Sequence, residues 1–214
     1  HFDDAASEFE WAAELTPGWP MPWWGLALAE EGLGDSRVSP VAGIQAMLGR
    51  DKGSRAVGAL HQALRLEPSF APALVDLARI TEAQRINVRL EDAVSAFRLA
   101  GDGAATERAD VQLARGRIER LGGSLETALA AFRRYAALGG APGLAWLEQA
   151  RTLFVLDSLT GAEPYFAGAA SEDSAAVRMY GDDLRPIAAD SELTALAAAR
   201  GRGRVNVLRQ FSFT

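Results

Sequence analysis

The sequence predicts an all-α fold built of antiparallel helix pairs repeated along the chain. Ala and Leu dominate the apolar residues while β-branched residues are sparse, which favours helix because the preferred side chains lose little freedom there. Small and large apolar residues recur at i, i+4, i+7, a spacing that places them on one helix face. That recurrence itself returns at a nearly constant interval, which marks an internal repeat.

Five segments carry the pattern: Ala5-Phe9-Ala12, Ala56-Leu60-Ala63, Ala93-Phe97-Ala100, Ala128-Phe132-Tyr135 and Ala162-Phe166-Ala169, with Tyr135 the one departure at the third position. Their first residues are 51, 37, 35 and 34 apart. The last three intervals are close to the period of about 34 residues of a helix–turn–helix repeat, and the first equals that period with a 17-residue insertion. Pro17 and Pro68 each stand five residues beyond their small residue, where a proline ends one helix and can open the next because it lacks an amide donor. Small residues let neighbouring helices approach, and Phe97, Phe132 and Phe166 are expected to fill the gaps between successive hairpins.

Trp23-Leu26-Ala27 followed by Gly34, and Leu74-Leu77-Ala78, precede their Ala-x3-large-x2-Ala segments and resemble the first-helix signature of tetratricopeptide (TPR) repeats. The resemblance covers about residues 1–170 and implies a right-handed α-solenoid of antiparallel helix pairs, with residues 171–214 as a C-terminal helical extension or cap. Repeat stacks need such ends because each hairpin buries its apolar face only against a neighbour. Within residues 36–54, Ser39-Pro40 followed by Val41, Ile44, Met47, Leu48 and Gly49 reads as a short capped amphipathic helix, covering a repeat edge or touching a partner. The tail, with Tyr180, Asp182, Asp183, Arg185, Glu192-Leu193, Arg204, Leu208, Arg209 and Phe211, resembles a segment of bacterial repeat proteins named for a Gly-Trp-x-Thr-Asp motif. The naming motif is absent; the resemblance implies a bacterial cell-envelope or periplasmic setting in preference to the cytoplasm.

The chain has 22 Lys and Arg against 28 Asp and Glu, a net charge of −6, which opposes general affinity for a polyanion. It has no cysteine, so disulfides and thiolate metal sites are excluded and the redox compartment stays open. No apolar run approaches the roughly 18–20 residues of a membrane-spanning helix. The chain begins at His1 without methionine, and residues 1–4 read as a turn between helices, so a fragment or processed chain is expected.

Chemistry is sparse. His61 is the sole histidine besides His1, too few for a His-pair metal site or a Ser-His-Asp relay. The glycine-rich stretches 101–103 and 139–143 do not continue into the Gly-Lys-Ser/Thr of a phosphate loop and read as helix-ending turns. Glu30-Glu31 and Asp182-Asp183 are adjacent on helices, so their carboxylates point about 100° apart and do not converge. Arg200-Gly201-Arg202-Gly203-Arg204 reads as a solvated inter-helix loop. No catalytic residue, cofactor or metal is therefore expected, and no nucleic acid.

What remains is protein binding. Four of the five tryptophans fall within fourteen residues, Trp11, Trp19, Trp23 and Trp24. Trp23 takes the packing position of the first repeat helix, and the TPR resemblance then directs Met21, Trp24, Leu28 and Glu31 toward a concave groove. The same register puts Arg79 and Arg151 in the slot equivalent to Leu28, with Arg117 joining them in one of two alignments. The expected function is a protein–protein interaction scaffold, an accessory or assembly subunit of a larger complex. Its partner is expected to be a protein, with an extended or acidic segment or a membrane-associated complex as candidates. The competing readings are a nucleic-acid-binding helical repeat and a non-catalytic part of a larger enzyme.

Overall fold

The computed structural model describes residues 2–35, 55–84, 87–101 and 103–211. The helix expected within residues 36–54 lies outside them. Among the described residues the structure is helical with no strand, and it divides into two compact units, His1–Glu107 and Arg108–Thr214.

The first unit holds α1 (Phe2–Leu15), α2 (Pro20–Asp35), α3 (residues 55–66), α4 (Ala71–Gln84), α5 (Asn87–Ala100) and a 3-10 turn, Ala104–Glu107. Asp3 and Asp4 sit in the first turn of α1, where carboxylates complement the helix dipole. Pro20 opens α2, a position where the missing amide costs no helical bond. The turns out of α1 and α3 are the same turn: Thr16 N–H bonds Ala12 O and Trp19 N–H bonds Thr16 O, both at 3.0 Å, as Glu67 bonds Ala63 and Phe70 bonds Glu67, again at 3.0 Å. These pairs are 51 residues apart, the interval read between Ala5 and Ala56.

Ala56, Leu60 and Ala63 on α3, Leu74, Leu77 and Ala78 on α4, and Ala93, Phe97 and Ala100 on α5 form the core of this unit, all buried. The first segment behaves differently. Phe9 is 37% exposed, and the buried residues of α1 are Ala6 and Ala13, one position along from the Ala5-Phe9-Ala12 stripe. Trp23, expected in the core, is half-buried.

The second unit holds α6 (Ala109–Leu121), α7 (Leu125–Ala137), α8 (Pro142–Val155), a 3-10 turn at Leu159–Gly161, α9 (Ala162–Ala170), α10 (Ser174–Leu184), α11 (Asp190–Ala198) and α12 (Arg202–Phe211). Successive helices from α6 to α9 pack pairwise, α10 packs on α8 and α9, and α12 packs on α9. Ala128 and Phe132 are buried on α7. Phe132 lies over Gly116, where an added Cβ would stand 2.5 Å from the ring. The departure at Tyr135 has a physical reason: its hydroxyl accepts the Ala141 N–H at 2.9 Å, closing the turn in which Gly139 has φ +84°. Gly101 follows the end of α5 with φ +59°, and the 139–143 stretch leaves α7 and enters α8 at Pro142.

Asp173 joins two helices. It accepts the N–H of Ala175 at 2.9 Å at the start of α10 and that of Leu144 at 2.9 Å in the first turn of α8, so one carboxylate serves two helix N-termini that lack intrahelical partners. Tyr180, Leu184, Leu196 and Leu208, all from the tail, share one core with Tyr135, Leu144, Leu147 and Ala169.

Two expectations are corrected here. Residues 200–204 are not all a solvated loop: α12 begins at Arg202, and Arg204 is buried. Its guanidinium donates to Ala169 O at 2.9 Å, Ser171 O at 2.7 Å and Ala199 O at 2.7 Å, the carbonyls that the ends of α9 and α11 leave unpaired. Phe166, expected to fill a gap between successive hairpins, is half-buried, with its ring under Arg209 of the tail at 5.2 Å.

Candidate protein-binding groove

The α1–α2 pair frames an apolar groove of about 470 Å³, lined by Phe2 and Phe9 from α1 and by Trp19, Met21, Trp24 and Leu28 from the turn and α2, with small residues between them. Its floor is set by two glycines. A Cβ at Gly25 would meet the Phe9 ring, and one at Gly32 the Phe2 ring, so the two rings of α1 lie flush on the α2 backbone. Three of the sequence-predicted residues, Met21, Trp24 and Leu28, are thus brought together, and the exposure of Met21 (51%) and Leu28 (37%) leaves their apolar surface available.

Trp24 is held from behind. Its indole N–H donates to Asp76 Oδ2 at 2.8 Å, and its ring meets Phe70 edge to face at 6.3 Å, a geometry favoured by the ring quadrupoles. The other oxygen of Asp76 accepts from Arg79 at 3.0 and 3.2 Å, and Arg79 closes a two-pronged pair on Glu31 at 2.6 and 2.5 Å. The hydrogen bond to Glu31, with help from Asp76, raises the Arg79 pKa against the opposing effect of burial. Glu31 and Arg79 therefore meet, as neighbours that steady Asp76 and through it Trp24. Glu30, next to Glu31, is buried and faces Arg55 at 3.8 Å, so the two adjacent carboxylates diverge as expected.

The other two predicted arginines belong to the second unit and converge on a carboxylate that the sequence did not point to. Glu148 on α8 is completely buried. It accepts from Arg117 at 2.8 Å, from Arg120 at 2.5 Å and from Arg151 at 3.5 Å. Burial alone would push its carboxyl up; the three guanidinium groups outweigh that and hold it below its ordinary value. Arg151 continues into a two-pronged pair with Asp183 on α10, at 3.0 and 2.6 Å. Asp182 instead turns to Arg185 at 3.3 Å. Arg79, Arg117 and Arg151, which the register directed toward a groove, are each engaged with carboxylates of their own unit.

Asp76, Arg120 and Glu148 were missed, as was the pairing of Asp183 with Arg151. The available signal was the i, i+3 spacing of Asp76 with Arg79, Arg117 with Arg120 and Glu148 with Arg151, which puts each pair on one helix face. His61 lies beside a second groove of about 510 Å³, with Nε2 4.0 Å from Asp92. Among the described residues no three His, Asp or Glu could together hold a metal, and no helix is long and apolar enough to cross a membrane.

Two solved structures resemble this arrangement over the whole chain. PilF of Pseudomonas aeruginosa matches with a TM-score of 0.56 and 16% identity, over 100% of this chain and 86% of that one. PilW, a widely conserved type IV pilus biogenesis factor, matches with a TM-score of 0.56 and 18% identity, over 100% and 87%. The fold is TPR-like. No family model and no curated protein matches the sequence. In TPR-like terms α2, α4, α6 and α8 are first helices and α3, α5, α7 and α9 second helices. The groove belongs to a first helix and the second-type helix before it.

Proposed function

We propose that this protein is an interaction scaffold, an accessory or assembly subunit that holds a protein partner in the α1–α2 groove through Met21, Trp24 and Leu28. The observation that carries this reading is the anchoring of Trp24: an aromatic side chain in an open apolar groove, fixed by Asp76 and Phe70. A pre-oriented tryptophan loses little freedom on binding, and such residues dominate interface energetics. Glu31 and Arg79 support that orientation, whereas Arg117 and Arg151 belong to the stability of the second unit. The likeness to PilF and to the pilus biogenesis factor PilW supports an assembly role in the cell envelope. Fold likeness by itself does not assign function, so the weight of this reading rests on the groove.

The test is affinity capture from the source cell with three baits: the wild-type chain, Met21→Ser and Leu28→Ser. Both substituted side chains are exposed, so the fold survives. A partner recovered by the wild type and lost with both variants supports the groove; a partner recovered equally by all three places the interface elsewhere.

A further inference from the structure

The groove is apolar inside, yet among the described residues its surroundings carry more acidic than basic groups. Residues 1–35 contain eight Asp and Glu and no Lys or Arg, so all 22 basic residues of the chain lie beyond them. On α1, Asp4 and Glu8 are exposed and one turn apart. At about 100° per residue they follow the Phe2-Ala5-Phe9-Ala12 stripe on the side away from buried Ala6 and Ala13, which puts them along the outer rim. On the opposite wall the cluster behind Trp24 holds two carboxylates, Glu31 and Asp76, against the single guanidinium of Arg79. The net charge of both walls is negative.

The walls also restrict the backbone of whatever enters. Both are helices whose amide and carbonyl groups are used internally, and the lining offers apolar side chains. An extended peptide would leave its own N–H and C=O groups without partners in that groove, which is unfavourable; a helix satisfies them itself. The lining on α1 runs from Phe2 to Ala12, about 15 Å or three helical turns at 1.5 Å per residue, the length over which an amphipathic helix presents anchors at i, i+3 or i+4, and i+7.

We infer that the α1–α2 groove takes an amphipathic helix whose flanks carry Lys and Arg, its apolar face on Phe9, Met21, Trp24 and Leu28 and its basic flanks on the acidic rim. This inference rests on the groove being the binding site and adds the partner's chemistry. It differs from the acidic segment expected from the arginine register, and is argued from the acidic residues around the α1–α2 groove.

The test uses three designed 18-residue helical peptides with one Leu face and a flank of Lys, Glu or Ser, titrated against the wild-type chain by fluorescence anisotropy. The Lys peptide should bind about tenfold or more tighter than the Glu peptide at low salt, with the gap closing as salt screens the rim. Glu8→Lys should weaken the Lys peptide on the order of fivefold and leave the Ser peptide unchanged. Met21→Ser and Leu28→Ser should weaken all three. Equal binding of the Lys and Glu peptides, still lost in the Leu28→Ser variant, would overturn the basic partner and leave the groove standing. Binding indifferent to Met21 and Leu28 would overturn both. Self-association of the wild type in sedimentation, abolished by Leu28→Ser, would give the groove to a second copy and overturn the basic helix.

Discussion

The Trp24 indole donates to Asp76 across two helices at 2.8 Å, and this bond fixes one aromatic wall of the groove. Trp24→Phe keeps the ring and removes the donor, leaving one Asp76 oxygen without its partner. It should cost about 1.5 kcal/mol of stability in denaturant titration, with most of that loss absent when Asp76 is already Asn. Trp24→Ala should weaken a groove partner by about 2 kcal/mol or more with helix content by circular dichroism unchanged. An unaltered affinity would remove Trp24 from the interface.

Glu148 makes the second unit acid-sensitive. Its folded pKa is held below its ordinary value of 4.5, so its contribution is complete above about pH 4.5 and is lost as pH falls through the folded value. Glu148→Gln should destabilise the unit by about 3–5 kcal/mol, because Arg117, Arg120 and Arg151 would remain around an uncharged group, and should flatten the acid limb of the stability curve. Hydrogen exchange on α6 and α8 reads this unit separately. An acid limb as steep as in the wild type would assign it to other carboxylates.

The repeat phenylalanines should differ among themselves. Phe97 and Phe132 are fully buried and their change to Ala should each cost about 3–5 kcal/mol. Phe166 is half-buried beneath Arg209, and its loss should cost about 1–2 kcal/mol. Gly116→Ala gains helix propensity of about 1 kcal/mol but drives a methyl into Phe132, so a net loss is expected. Equal losses at Phe97, Phe132 and Phe166 by chemical denaturation would contradict the packing described for α9.

Arg204→Met keeps the length of the side chain and deprives three carbonyls of their donor. The buried Ala169 carbonyl left unsatisfied costs about 1–3 kcal/mol, the part-buried Ser171 and Ala199 carbonyls less, and the loss should appear as faster amide exchange in α9, α11 and α12 before α6 and α7. Removing residues 171–214 should act on the same helices more strongly, since Tyr180, Leu184, Leu196 and Leu208 leave the core together. Uniform loss of protection across the unit would mean that the tail is no cap.

The helical class and the pairing of helices were legible because they rest on local spacing: Ala56-Leu60-Ala63 and Ala93-Phe97-Ala100 are buried on the face the pattern names. Met21, Trp24 and Leu28, which the TPR resemblance directed toward a groove, line the one between α1 and α2. Its polar half was not legible. A guanidinium in sequence carries no sign of whether a carboxylate from another helix will reach it, and Glu148 sits about thirty residues from Arg117 and Arg120 along the chain. Arg204 misled for a related reason: flanking glycines suggest a solvated loop, while its burial depends on the free ends of α9 and α11. Phe9 fits the repeat pattern yet stays open, because no described helix covers it.

Gly25 and Gly32 form the floor of the groove. Their spacing of seven residues matches that of Phe2 and Phe9, so two vacant positions on one helix receive two rings from the other. In a saturation mutagenesis library of the first 35 residues, tolerance would therefore run opposite to ordinary expectation. The bulky exposed Trp11 would accept most replacements, whereas a side chain at Gly25 or Gly32 would first have to displace the Phe9 or Phe2 ring, so the two glycines would accept fewer before any partner was met.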